Sequence, residues 1–187
     1  MSHIFLGIQK QLADIKKDDK KVLRLVDHDL GQLDEEVPAL SYPCALLDLS
    51  RFKFSASGEN CQIGEGVIGI SLVFAPYSGT NNLAPETVRQ KGLEYYEIEQ
   101  MVQDALEGWN PTFIMQVAGS DPVEEVDVLI DSCGPLTRTA AGTDKRRTDL
   151  RIRRVEYELS CEDYTTADTS RTFIPRPDPD TELEGEV

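Results

Sequence analysis

The stretch Val67-Ile68-Gly69-Ile70-Ser71-Leu72-Val73-Phe74, followed by Ala75-Pro76-Tyr77-Ser78 and then by Pro85-Glu86 and the helical run to Glu107, decides how this chain is read. The first part is rich in β-branched residues. It places Ile68, Ile70, Leu72 and Phe74 on one face and Val67, Val73 and Ala75 on the other, so it is a strand. The second part has Val88, Gly92, Tyr95, Val102, Leu106 and Trp109 at helical spacing, so residues 86–107 form one amphipathic helix. Pro85 at the first helical position and Glu86 beside it suit the orphan N–H groups and the dipole. Gly108 is placed to stop the helix in the left-handed conformation. The matched periodicities predict that this helix packs its Val88/Tyr95/Val102/Leu106 stripe on strands around Leu46 and Ile70.

Working outward, residues 3–16 read as a helix, with Ile4, Phe5, Ile8, Leu12 and Ile15 on one face and Ser2 as its cap. Lys16-Lys17-Asp18-Asp19-Lys20 ends it. Val22 to Val26 is a short strand, and Asp27-His28-Asp29 opens a polar loop. Tyr42 to Leu49 is an almost wholly apolar strand, which Arg51 to Phe54 can continue, and Ser55 to Asn60 is a turn. Gln62 to Phe74 is its long partner, and Gly64, Gly66 and Gly69 permit bending or a bulge. Residues 110–134 are an excursion, read as an extra hairpin. Leu136 to Ala140 and Leu150 to Cys161 pair around a turn at Ala141-Gly142-Thr143-Asp144. The apolar parity switches between Ile152 and Val155, which predicts a bulge near Arg153-Arg154. The element order predicts an α+β fold: a mostly antiparallel sheet with two helices packed on one face. One domain spans 1–164, and 165–187 is an acidic, Pro-rich extended tail.

The chain has 187 residues and a formal net charge of −15, which disfavours general nucleic-acid binding. No apolar run reaches the roughly 18 residues that span a bilayer, so no membrane partner is expected. Met1 to Gly7 lacks a basic leader and a cleavage site, which predicts synthesis in the cytoplasm. Cys44, Cys61, Cys133 and Cys161 form no C-x-x-C pair, and burial as thiols is the expectation. Against the acidic background, residues 145–154 concentrate Lys145, Arg146, Arg147, Arg151, Arg153 and Arg154 beside a single acid, Asp149. That stripe is either a solvated strand face or a docking element for an acidic partner.

No catalytic set emerges. With only His3 and His28, a nucleophile–base pair has one candidate base, and His28 lies in a polar loop pattern. Gly64-Glu65-Gly66-Val67-Ile68-Gly69 matches G-x-G-x-x-G in letters, yet it falls in a strand and carries a carboxylate. Neighbouring acids such as Glu35-Glu36 and Glu124-Glu125 point apart on a strand, and no cofactor or metal site is expected. Tyr95, Tyr96 and Trp109 at helical spacing read as core.

Several phrases together resemble a known family. They are Tyr42-Pro43-Cys44-Ala45-Leu46-Leu47-Asp48, the strand Gly66 to Phe74 ending Ala75-Pro76-Tyr77, and the helix Val88 to Trp109. The hairpin with Pro135-Leu136-Thr137-Arg138-Thr139 and Arg146-Arg147-Thr148-Asp149-Leu150-Arg151-Ile152 completes the set. The pattern, over residues 3–163, is similar to the tail-terminator and tail-completion proteins of long-tailed bacteriophages and prophages. The 110–134 excursion and the acidic tail depart from it.

The resemblance implies a structural virion protein, not an enzyme, that forms a homo-oligomeric and usually hexameric ring at the head-proximal end of the tail tube. Its implied partners are the tail tube protein and a neck or head-completion protein, with DNA passing through the lumen without specific binding. A head-completion or neck position in the same virion is the near alternative. A small metal-dependent hydrolase using carboxylates is the alternative of another class. The interface expected from the charge pattern is the arginine hairpin, with Arg147 and Arg151 as anchors.

Overall fold

A computed structural model describes residues 2–58, 61–75, 80–116, 125–129, 133–147 and 149–163. The sequence-predicted tail, 165–187, lies outside the described residues, as do the residues between these segments.

Helix α1 (Ser2–Ala13) buries Ile4, Phe5, Ile8 and Leu12, the face its apolar spacing predicts. The lysine run beyond it does more than end the helix. Strands β1 (Lys16–Lys17) and β2 (Lys20–Lys21) form a minimal hairpin. Asp18 and Asp19 at its tip take positive φ of 51° and 61°, the left-handed pair that a two-residue hairpin loop requires and that Asp tolerates. Strand β3 is Leu25–His28, so Asp27 and His28 belong to a strand rather than to the expected loop. His28 stacks on Phe5 with ring centroids 3.5 Å apart. A short 3-10 turn, Gln32–Asp34, follows.

Strand β4 (Cys44–Gly58) takes in Ser55 to Gly58 of the segment expected to turn, so the reversal into its antiparallel partner β5 (Cys61–Phe74) is confined to the end of that segment. Its register shifts between Asp48 and Arg51, so the irregularity falls on β4 opposite the glycine-rich part of β5. Helix α2 (Glu86–Leu106) has Pro85 at its N-cap, one position earlier than expected, and Gly108 ends it at φ 72°. Strands β6 (Thr112–Gln116) and β7 (Glu125–Leu129) make a separate antiparallel pair where the excursion was expected. β6 lies against α1, and Gly7 permits the approach: a Cβ there would collide with the Thr112 carbonyl oxygen.

Strands β8 (Thr137–Asp144) and β9 (Arg151–Asp163) complete a five-stranded sheet of order β3-β4-β5-β9-β8. Only the β3–β4 pair is parallel. The fold is therefore α+β, with a mostly antiparallel sheet. Both helices share one apolar cluster with Ala45, Leu47, Ile68, Ile70, Leu72, Val155, Tyr157 and Leu159 on one face of that sheet. Leu46 does not belong to it: with Cys44, Val73, Ile152 and Leu33 it forms a second cluster. Adjacent strand residues alternate faces, so Leu47, not Leu46, meets the helices.

The same alternation corrects two other expectations. β9 keeps unbroken register with β5 from Arg151 to Asp163, so there is no bulge at Arg153-Arg154. The parity of β9 needs no repair because both faces are covered: Ile152 faces the Leu33 cluster while Val155, Tyr157 and Leu159 face the helices. The bulge lies on β8, between Arg138 and Ala140. The turn falls between Asp144 and Arg151, not at Ala141 to Asp144, which are strand residues. The thiol expectation also fails for one pair: Cys133 and Cys161 form a disulfide with Cα atoms 4.0 Å apart. Their separation of 28 residues carries no local spacing signal, and a bridge between Cys133 and β9 brings them together.

Candidate assembly surface

Each of the five arginines singled out from the sequence has carboxylates or carbonyls of its own chain opposite it. Arg146 donates from Nε to Asp144 at 2.7 Å and lies 3.6 Å from Asp34. Its side chain is 53% exposed, against 14% for Arg147 and Arg153 and 28% for Arg154. Arg147 donates to Asp149 at 2.6 and 2.8 Å and to the carbonyl oxygens of Leu33, Glu35 and Glu36, so it moors the 33–36 segment to the β8–β9 turn. Arg151 donates to the Gly92 carbonyl at 2.7 Å and stands over the Tyr95 ring at 4.5 Å. Arg153 grips Glu99 on α2 at 2.6 and 2.9 Å, and donates to Thr143 at 2.8 Å. Arg154 donates to Asp48 at 2.9 Å and to Glu156 at 3.3 Å. A stripe of like charges on one short element needs opposite charges nearby. Here those charges come from β4, α2, β8, the turn and β9 itself.

The titration behaviour follows. The hydrogen bond from Arg51 and the bonds from Arg154 hold Glu156 below its ordinary value, against the opposing effect of burial. For Asp48 burial alone would raise the carboxyl, but bonds from Ser50 and Arg154 outweigh it and the net shift is downward. Glu99 is buried at 8% exposure, and sequence reading missed it because a glutamate inside an amphipathic pattern looks like a solvated position. Its place on the sheet-facing side of α2, one residue after Ile98, was the available signal.

The margins of the sheet are the other notable surface. β8 is exposed at six of its eight positions and forms one edge. At the opposite edge β3 covers β4 only as far as Leu47, and β4 continues to Gly58 without a further strand partner among the described residues. Phe54 on that extension is 50% exposed.

Little in the described residues supports chemistry. His28 lies in β3 against Phe5, and the glycines of the G-x-G-x-x-G match lie inside β5 and do not open a helix whose N-terminus could cradle phosphate. Burial pushes the Cys44 thiol up to about 12, so it stays protonated and unreactive. Among the described residues no group of three or more His, Cys, Asp or Glu side chains is placed to hold a metal. No helix among them is long and apolar enough to cross a membrane.

No family model matches the chain. No curated protein matches it. Among solved structures, it is similar to a chain of the virion of a native gene transfer agent particle. The TM-score is 0.44, with 13% identity, and the match covers 85% of this chain and 94% of the other.

Proposed function

We propose that this protein is a structural component of a phage-type virion that assembles as a ring at the head-proximal end of the tail tube. In this reading it ends tube polymerisation and joins the tail to the neck. The observation that carries the reading is the sheet with two dissimilar margins that have no further strand partner among the described residues, β8 on one side and the outer part of β4 on the other. Unpaired strand edges accept strands or loops from neighbours. Two different patches meeting head to tail generate a ring when the rotation closes. The resemblance of residues 3–163 to tail terminators supplies the position and the usual six-fold symmetry. A net charge of −15 suits a lumen through which DNA slides without sticking.

The arginine hairpin has a defined part in this reading. Arg147, Arg151, Arg153 and Arg154 hold the β8–β9 hairpin in shape through their own-chain partners. Arg146, with its more exposed side chain, is the member available to an acidic surface of an adjacent subunit or of the tube protein. Reconstruction of intact particles tests the proposal. Density for this chain as a closed ring on the head-proximal end of the tube is the expected result, and its absence from that end overturns the reading.

A further inference from the structure

One concavity of this acidic protein is cationic. A hollow of about 460 Å³ opens between the β1–β2 hairpin, the middle of α2, the end of β5 and the start of β9. Six cationic and two carboxylate side chains line it. The carboxylates, Asp18 and Glu94, leave a clear positive excess, whereas the whole chain carries −15. Lys17 is engaged with Glu97 at 2.6 Å, and Arg151 is held by the Gly92 carbonyl and by Tyr95. Lys20, Lys21, Arg24 and Lys91 have no ion pair among the described residues. Beneath this rim the floor is apolar: Val22, Phe74, Tyr95 and Ile98. A cationic rim over an apolar floor fits an acidic peptide with an apolar residue between its carboxylates.

The chain carries such a segment. Residues 177–187 contain Asp178, Asp180, Glu182, Glu184 and Glu186, no lysine or arginine, and Leu183 between two glutamates. Pro175, Pro177 and Pro179 fix φ at alternate positions, which lowers the entropy lost when the segment is held. We propose that the hollow is a docking site for this chain's own acidic segment 177–187.

Reach favours the same chain. β9 begins at the hollow with Arg151, opposite Phe74, and ends at Asp163, opposite Gln62. That is a run of about 40 Å away from the hollow at ~3.3 Å per residue. The 13 residues 164–176 span at most about 43–47 Å. From Asp163 to Leu183, the residue with a glutamate on each side, 20 residue steps reach up to about 66–72 Å. The segment therefore returns to its own hollow with slack, and the tether gives it a high effective concentration there. The proposal does not depend on where, or whether, the protein sits in a virion.

The test uses the full chain with Asp178→Asn, Asp180→Asn, Glu182→Gln, Glu184→Gln and Glu186→Gln, which empties the hollow of its proposed occupant. A fluorescent synthetic peptide of residues 172–187 is titrated with this variant and followed by anisotropy. Binding that weakens with salt is expected. Adding Lys20→Glu, Lys21→Glu and Lys91→Glu should weaken it at least tenfold, while Lys53→Glu, on the far part of β4, should leave it unchanged. Lys91→Glu alone, on the exposed side of α2, is the fallback if the triple change unfolds the protein, with about threefold weakening expected from reversing one charge. No binding, equal binding by the reversed-charge variants, or tighter binding of a labelled DNA duplex at the same lysines overturns the proposal. The wild type, whose own segment competes for the hollow, should bind the peptide at least threefold more weakly than the neutral-tail variant and stay monomeric in sedimentation velocity. Equal binding by the two, or self-association that the neutral-tail variant lacks, overturns assignment to the same chain.

Discussion

Arg153 on β9 and Glu99 on α2, 54 residues apart, meet in a two-pronged ion pair with N···O distances of 2.6 and 2.9 Å. Their side chains are only 14% and 10% exposed. This pair locks the helix to the sheet at one depth, which van der Waals packing of Val102 and Leu106 alone would leave free to slide. Glu99→Ala should cost about 3 kcal/mol, the low end for breaking a buried pair, because Arg153 would be left charged and partly desolvated. Glu99→Leu combined with Arg153→Leu should recover at least a third of that. Chemical denaturation of these variants, with Glu99→Leu and Arg153→Leu alone to complete the cycle, measures both values, and additive losses would show that the pair is not coupled.

Tyr157 is fully buried, and burial pushes its phenol up to about 12. Its hydroxyl has no hydrogen-bond partner among the described residues. A desolvated, unpaired hydroxyl is a cost, so Tyr157→Phe should stabilise the protein by about 1 kcal/mol. A lower melting temperature in that variant would reveal a partner for the hydroxyl.

Arg147 ties three carbonyl groups of the 33–36 segment to the β8–β9 turn. Arg147→Ser should therefore speed amide hydrogen exchange in residues 33–36 and leave α2 protected. Uniform exchange rates across wild type and variant would mean that the Leu33 cluster alone holds the segment. This also means that a triple change of Arg146, Arg147 and Arg151 would disturb the fold as well as any interface, so Arg146→Glu alone is the cleaner probe of assembly.

The Cys133–Cys161 disulfide closes a loop of 28 residues in sequence separation. Loop-closure entropy gives it about 3–4 kcal/mol of stabilisation. Cys133→Ser with Cys161→Ser should lower the melting temperature, and a non-reducing peptide map of the wild type should link the two cysteines. A map that shows both as free thiols would remove the effect.

Acid should weaken the sheet through Glu156 and Asp48. Each is held below its unfolded value, 4.5 and 3.8 respectively, so the folded state binds fewer protons there. Their contribution is fully present above about pH 4.5 and is lost as pH falls through the lower folded values. Glu156→Gln should flatten the acid limb of stability against pH. Superimposable limbs would show that other carboxylates govern acid unfolding.

The sequence by itself determined the elements whose signal is a local repeat. The apolar alternation of β5, the stripe of α2 and the face of α1 are consequences of periods of 2 and 3.6, which neighbouring residues encode directly. Gly108 was legible for the same reason, since a left-handed stop is a property of one residue and the helix before it. Tertiary structure alone decided which face each strand residue took, and so which of Leu46 and Leu47 met the helices. It also decided that β9, apolar on both parities, needed no bulge. Above all it decided what the arginines do. Arg147 reaches Leu33 across 114 residues, Arg154 reaches Asp48 across 106, and Arg151 and Lys91 come to one hollow with Lys20 and Lys21. Charges attract across whatever distance folding leaves between them, and that distance is set by sheet order and helix packing, which no local pattern contains.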